Sequence, residues 1–70
     1  MTWTDDVWDI LRRLPDRFSL ADVYRYQALL SRLHPANDHV EAKIRQQLQV
    51  LRDARKVEFI DNAGHYRRLQ

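Results

Sequence analysis

His39-Val-Glu-Ala-Lys-Ile-Arg-Gln-Gln-Leu-Gln-Val-Leu-Arg52 is the stretch on which the reading of this chain turns. At about 100° per residue, Val40, Ile44, Leu48 and Leu51 fall on one stripe of a helix, while Ala42, Gln46 and Gln49 point the other way. Lys43, Arg45 and Arg52 flank the open side. One side asks for a core; the other asks for water or a polar partner. Glutamine can make a bidentate pair with adenine in the major groove, arginine can do so with guanine, and flanking cations can meet phosphates. The open side therefore suits duplex DNA, with a solvated amphipathic helix as the bland alternative for this stretch alone.

Working backwards, Pro35-Ala36-Asn37-Asp38 is a turn, and Asn37 or Asp38 is expected to cap the helix, with Glu41 completing a capping box three residues after Asp38. His34-Pro35 ends an earlier helix, because a residue before proline avoids helical geometry. That helix is expected to run from Leu20, behind a capping box at Ser19-Leu-Ala-Asp22 with Phe18 packing on Val23 across the cap. Tyr24, Tyr26 or Gln27, Leu29, Leu30 and Leu33 continue it at helical spacing. Arg17-Phe18 is short and extended. The first helix is expected to begin with Thr4 as N-cap, Asp5 and Asp6 in its first turn, and Trp3 stapled onto Trp8. Val7, Trp8, Ile10, Leu11 and Leu14 supply its buried side, and Pro15 stops it. Both tryptophans read most simply as packing residues.

Working forwards, the period changes from helical to alternating after Asp53-Ala-Arg-Lys56. Val57 and Phe59 share a face, Asp61-Asn62-Ala63-Gly64 is turn chemistry, and His65-Tyr66-Arg67-Arg68-Leu69 resumes, which describes a β-hairpin. Ala54-Arg-Lys56 stands where a helix-ending glycine is expected, so this turn is either strained or capped in another way. Three helices followed by a hairpin, with Arg17-Phe18 able to add a third strand, make a mainly α winged helix-turn-helix of three helices plus a wing. It is read as a single domain over residues 1–70. In that order the third helix reads DNA, and the hairpin, tipped by Asn62 and Gly64 and backed by Arg67 and Arg68, lies along the backbone or minor groove.

Composition narrows the classes. Seventy residues bury only roughly 60 % of their unfolded surface, so stability is expected to be modest. With no cysteine there is neither a disulfide framework nor a thiolate metal site, which fits a reducing cytoplasm. Apolar runs are far shorter than the about 20 residues that span a bilayer. The net charge is +2, but five Asp balance five Arg up to Ala36, whereas seven Lys/Arg face five Asp/Glu from Asn37 onward. This basic excess in and after the reading helix is a weak electrostatic footprint for nucleic acid.

Catalytic chemistry is not expected. Pro15-Asp16 followed by Glu41-Ala-Lys43 mimics the carboxylate-and-lysine signature of a metal-dependent nuclease, but Glu41 and Lys43 lie in one helical turn and point in different directions. His34, His39 and His65 lack zinc-site spacing, so neither metal nor cofactor is expected. Ala36, Ala42 and Val50 mean nothing on a solvated helix. Facing a groove, a small aliphatic side chain can meet the methyl group of thymine or of a methylated adenine.

Phe18-Ser-Leu-Ala-Asp-Val-Tyr24, His34-Pro35 with Asn37, Ala42-Lys-Ile-Arg-Gln-Gln-Leu-Gln49 with Leu51-Arg-Asp53, Glu58-Phe59, and Gly64 with Tyr66-Arg67 together resemble the C-terminal winged-helix module of the DpnI-type, Dam-replacing restriction endonucleases. The resemblance runs from Leu14 to Leu69. It implies a non-catalytic reader of double-stranded GATC carrying N6-methyladenine, acting as the specificity module of a nuclease whose cutting domain is separate, fused or associated. On that reading the chain is cytoplasmic and binds DNA as a monomer. Asn37, His39, Ala42, Lys43 and Gln46 would approach the central A·T pairs, and Arg45 or Gln49 the outer guanines or phosphates. Arg52 flanks them, Arg67, Arg68 and the hairpin tip would hold the backbone, and Trp3 is a candidate for the methyl pocket. A winged helix used for protein contact, or a repressor indifferent to methylation, are the alternatives.

Overall fold

The computed structural model describes residues 2–61 and 63–70. The expectation for Asn62 as hairpin tip lies outside the described residues.

Helix α1 (Trp3–Leu11) is capped by Thr2, whose hydroxyl accepts from the Asp5 N–H at 3.1 Å. Thr4, the expected cap, is inside the helix and donates its hydroxyl to Gln47 Oε1. Two threonines two residues apart look alike to a capping rule, and a buried amide 43 residues away decides between them. Trp3 does not staple onto Trp8, since residues five apart on a helix point about 140° apart. It stacks on His34 instead, with ring centroids 4.1 Å apart and planes inclined by 17°.

Strand β1 (Arg17–Ser19) leads into α2 (Leu20–Tyr24) through the expected box: Ser19 Oγ accepts from Asp22 N–H at 3.2 Å, and Asp22 accepts from Ser19 N–H at 2.9 Å. That backbone donor holds the Asp22 carboxyl below its ordinary value. The expected single helix from Leu20 to Leu33 is two helices, because the chain tightens at Tyr26, whose N–H reaches back three residues to Val23 O, before α3 (Gln27–Leu33) resumes. No helix breaker marks the place. Tyr24 and Tyr26 both pack against the core there, and such packing overrides a weak local preference. Of the apolar residues expected on this segment's inner side, Val23 and Leu30 are fully buried, while Leu29 and Leu33 are 36 % and 41 % exposed.

Helix α4 (Val40–Asp53) buries Ile44, Leu48 and Leu51 as its spacing predicts, together with Gln47. Its N-cap is His39, with no side-chain cap; the expected box on Asp38 is not formed. Asn37 Oδ1 accepts instead from His39 N–H at 2.8 Å, closing a turn one residue before the helix. At the other end Arg55 takes φ +61, its N–H bonds Arg52 O at 2.9 Å and Lys56 N–H bonds Leu51 O at 2.9 Å. This is a Schellman ending with arginine in the place of glycine, which accounts for the irregular Ala54-Arg-Lys56 junction.

Strands β2 (Val57–Phe59) and β3 (His65–Arg68) form the hairpin, and β1 joins it to give an antiparallel sheet of order β1-β3-β2. Tyr66 sits opposite both Phe18 and Phe59, and its ring contacts both, at centroid distances of 5.5 Å and 4.9 Å. The core lies where this aromatic face, α1 and α4 meet: Val7, Ile10 and Leu11 from α1 pack with Ile44, Leu48 and Leu51 from α4 and with Val57. The fold is a mainly α winged helix-turn-helix, with four helices rather than three among the described residues. Among the described residues no helix is long and apolar enough to cross a membrane.

A left-handed conformation costs a non-glycine residue about 1–2 kcal/mol, and the extra unfolded freedom of glycine returns about 0.5–1 kcal/mol of that. Arg55→Gly is therefore expected to raise stability by about 0.5–1 kcal/mol, read from the urea midpoint, whereas Ser19→Ala lowers it by about 1 kcal/mol through loss of the box.

Candidate nucleic-acid interface

The interface is built on α4 because its buried stripe leaves no choice of which side faces out. Once Ile44, Gln47, Leu48 and Leu51 turn inward, the opposite side presents Ala42, Gln46 and Gln49, all exposed. Asn37, His39, Ala42, Lys43 and Gln46 line one shallow depression of about 330 Å³ across the turn and the start of the helix. Five of the residues selected from the sequence thus come together. Since α4 has no side-chain cap, its first-turn N–H groups add their donors and the positive end of the helix dipole to the same region.

A second depression, of about 620 Å³, flanks the helix on the α3 side and carries Asp38 and Glu41 as well as Arg45. Glu41 there accepts from Gln27 Nε2 at 3.4 Å. Carboxylates thus sit on this flank, whereas Lys43 is the charged group of the first depression. Asp53 falls on the open side at the far end of α4, beside Arg52 at 3.3 Å. An anionic backbone is therefore accommodated best on the Lys43 side of the first turns of the helix.

The remaining candidates are more scattered. Arg45 donates to the Tyr24 hydroxyl at 2.7 Å, which aims its guanidinium along the gap between α2 and the hairpin. Arg52 lies over the Phe59 ring, 4.7 Å from its centroid, and Gln49 stands exposed between Arg45 and Arg52. Arg67, beside the inward-facing Tyr66, emerges on the opposite face of the sheet and pairs with Glu58 at 3.2 Å, apart from the α4 group. Arg68 is not a backbone clamp. Its guanidinium turns inward, donating to Leu11 O at 2.6 Å, Leu14 O at 3.0 Å and Asp16 at 2.9 Å, so that it closes the end of α1. Trp3, considered for a methyl pocket, has one ring face against His34.

Three positioning contacts escaped the sequence reading. Gln47 could have been found, since 44, 47, 48 and 51 are one helical stripe and an amide there must be buried and bonded. Tyr24 beneath Arg45, and Asp6 bonded to His34 at 2.6 Å, join residues 21 and 28 positions apart and leave no local signal.

A family model described as the Dam-replacing HTH domain matches residues 1–68 of this chain.

Arg68→Gln is expected to cost about 1–3 kcal/mol in the urea midpoint, because two carbonyls at the end of α1 lose their donor. The slope of log Kd against log salt on a duplex should not change, and a loss of about 0.9 in that slope would instead make Arg68 a phosphate ligand.

Proposed function

The chain belongs to the Dam-replacing HTH domain family and is a helix-turn-helix DNA-binding domain; from that premise we propose that it reads N6-methyladenine in double-stranded GATC through the N-terminal half of α4. What carries this reading is the depression at the start of the helix, where the Ala42 methyl lies among the amides and donors of Asn37, His39, Lys43 and Gln46. Methylation removes one N6 hydrogen of adenine and adds an apolar group in the major groove. A reader of that mark needs a small aliphatic contact beside polar groups that fix the base pair, and the family resemblance supports the same assignment.

In this reading Asn37, His39, Ala42, Lys43 and Gln46 meet the central A·T pairs. Arg45 and Gln49 reach the outer guanines or their phosphates, Arg52 meets the backbone beside them, and Arg67 supplies a further cation from the wing. The domain acts as a binding module, a monomer on one GATC, and contributes specificity to a methyl-directed restriction endonuclease whose cutting chemistry belongs to a separate nuclease domain, fused or associated.

Burying one methyl group contributes about 0.8 kcal/mol, so the two methyl groups of a fully methylated site set a discrimination of about 15-fold. Titration of labelled GATC duplexes methylated on neither, one or both strands is expected to give affinities rising in that order, with a total span of about tenfold or more. Equal Kd values for the three duplexes would remove methyl reading while leaving DNA binding intact. Gln46→Ala should weaken the methylated site by about 1–3 kcal/mol and leave a duplex without GATC unaffected.

A further inference from the structure

A third cleft, of about 720 Å³, opens between the start of α2, the middle of α4 and the wing, with Ser19, Leu20, Arg45, Gly64, His65 and Tyr66 among its walls. Its geometry is held at both sides. The Leu20 N–H donates to Gly64 O at 2.8 Å, with Gly64 at φ +85, and Arg45 is fixed by the Tyr24 hydroxyl at 2.7 Å. On the wing side, His65 Nδ1 lies 3.0 Å from Asp61 Oδ2, while Asp61 Oδ1 accepts from Ala63 N–H at 2.8 Å and from His65 N–H at 3.3 Å.

These bonds dictate where the imidazole carries its hydrogens. The Ala63 backbone donor, followed by the His65 side chain, holds the Asp61 carboxyl below its ordinary value, so the group facing Nδ1 is an ionised acceptor. Nδ1 must then be the N–H of the neutral ring, and Nε2 is left as a bare lone pair. A lone pair repels a phosphate oxygen. Only a second proton turns Nε2 into a donor, and it brings a positive charge with it. We propose that His65, oriented by Asp61, binds a phosphate of the DNA backbone beside the wing, and that this contact forms only when the imidazole is protonated.

Arg17 and Asp22 line the surroundings of His65 from β1 and α2, with Arg25 3.9 Å from Asp22, Asp61 from the wing and Arg45 from α4. Tyr66, the remaining titratable neighbour, stays neutral because burial pushes its hydroxyl up. Asp22 is already engaged by Ser19 and so does not compete for the imidazole. DNA binding thus takes up a proton, and affinity rises as pH falls. The inference rests on the DNA-binding reading of this domain and is independent of methyl discrimination, since a phosphate carries no sequence.

The test is Kd at about pH 8 and about pH 5.5, on methylated and unmethylated GATC duplexes, for the wild type, His65→Gln, His65→Asn and Asp61→Asn, with circular dichroism confirming the fold at both pH values. A charge-assisted bond to phosphate predicts about 5- to 10-fold tighter wild-type binding at the lower pH, with a salt slope steeper by about 0.9. Both His65 variants should lose this increment equally on the two duplexes. Asp61→Asn, which retains the oxygen that accepts from Ala63, should diminish it. A pH response that survives in both His65 variants overturns the proposal. Equal affinity for the two duplexes would count against methyl reading and leave the pH comparison fully readable.

Discussion

Everything in this small protein depends on the burial of a glutamine. Gln47 sits in the otherwise aliphatic stripe of α4 and is only 6 % exposed. A buried amide without a partner costs on the order of 1–3 kcal/mol, a large share of the stability a domain of this size can have. The Thr4 hydroxyl meets that requirement, and in doing so sets how far along α4 the first turn of α1 lies. Aliphatic contacts alone would tolerate sliding, because Val7, Ile10 and Leu11 could find other holes between Ile44, Leu48 and Leu51. A directional bond does not slide. The outward side of α4, and with it the placement of Ala42 and Gln46, is fixed as the complement of this inward registry.

The same first turn of α1 also governs the turn that precedes α4. Asp6, only 4 % exposed, accepts the His34 ring at 2.6 Å, and Trp3 lies flat on the other side of that imidazole. His34 O in turn accepts from Asn37 N–H at 3.1 Å, and Asn37 Oδ1 accepts from His39 N–H at 2.8 Å. A continuous set of bonds thus runs from the first turn of α1 to the first turn of α4. Asn37 and His39 occupy the depression at the start of α4 because they are links in that set, so the polar residues that shape the surface also specify the backbone beneath it.

Charge is used sparingly, which explains why the net value of +2 is a poor guide to the interface. Arg68 is spent on the carbonyls at the end of α1, Arg67 lies against Glu58, Arg12 against Asp9 and Arg52 against Asp53. Lys43 and Arg45 are the cations of α4 that the fold directs to its two flanking depressions. Their leverage comes from position beside an uncapped helix start rather than from number. Arg55 shows the complementary case, a charged residue in a left-handed turn where a glycine would rest without strain.

Much of this was legible in the residues themselves, and for identifiable reasons. The inward and outward sides of α4 follow from helical spacing, the box at Ser19 and Asp22 from contacts three residues apart, and the wing from a change of period after Lys56, so each is determined by chemistry within a few positions. The break at Arg25 and Tyr26, the choice of Thr2 over Thr4 as cap, the inward turn of Arg68 and the bond between Asp6 and His34 are of another kind. Their partners lie 28 to 57 residues away where a side-chain bond is involved, and no local rule ranks one distant acceptor above another. Sequence alone determined which side of α1, α4 and the wing must be buried, because water penalises apolar surface whatever it later touches. Which polar group would be consumed in holding the elements together, and which left to face DNA, was decided only when folding brought donors and acceptors within about 3 Å, since a hydrogen bond is lost over a fraction of the distance at which apolar burial still acts.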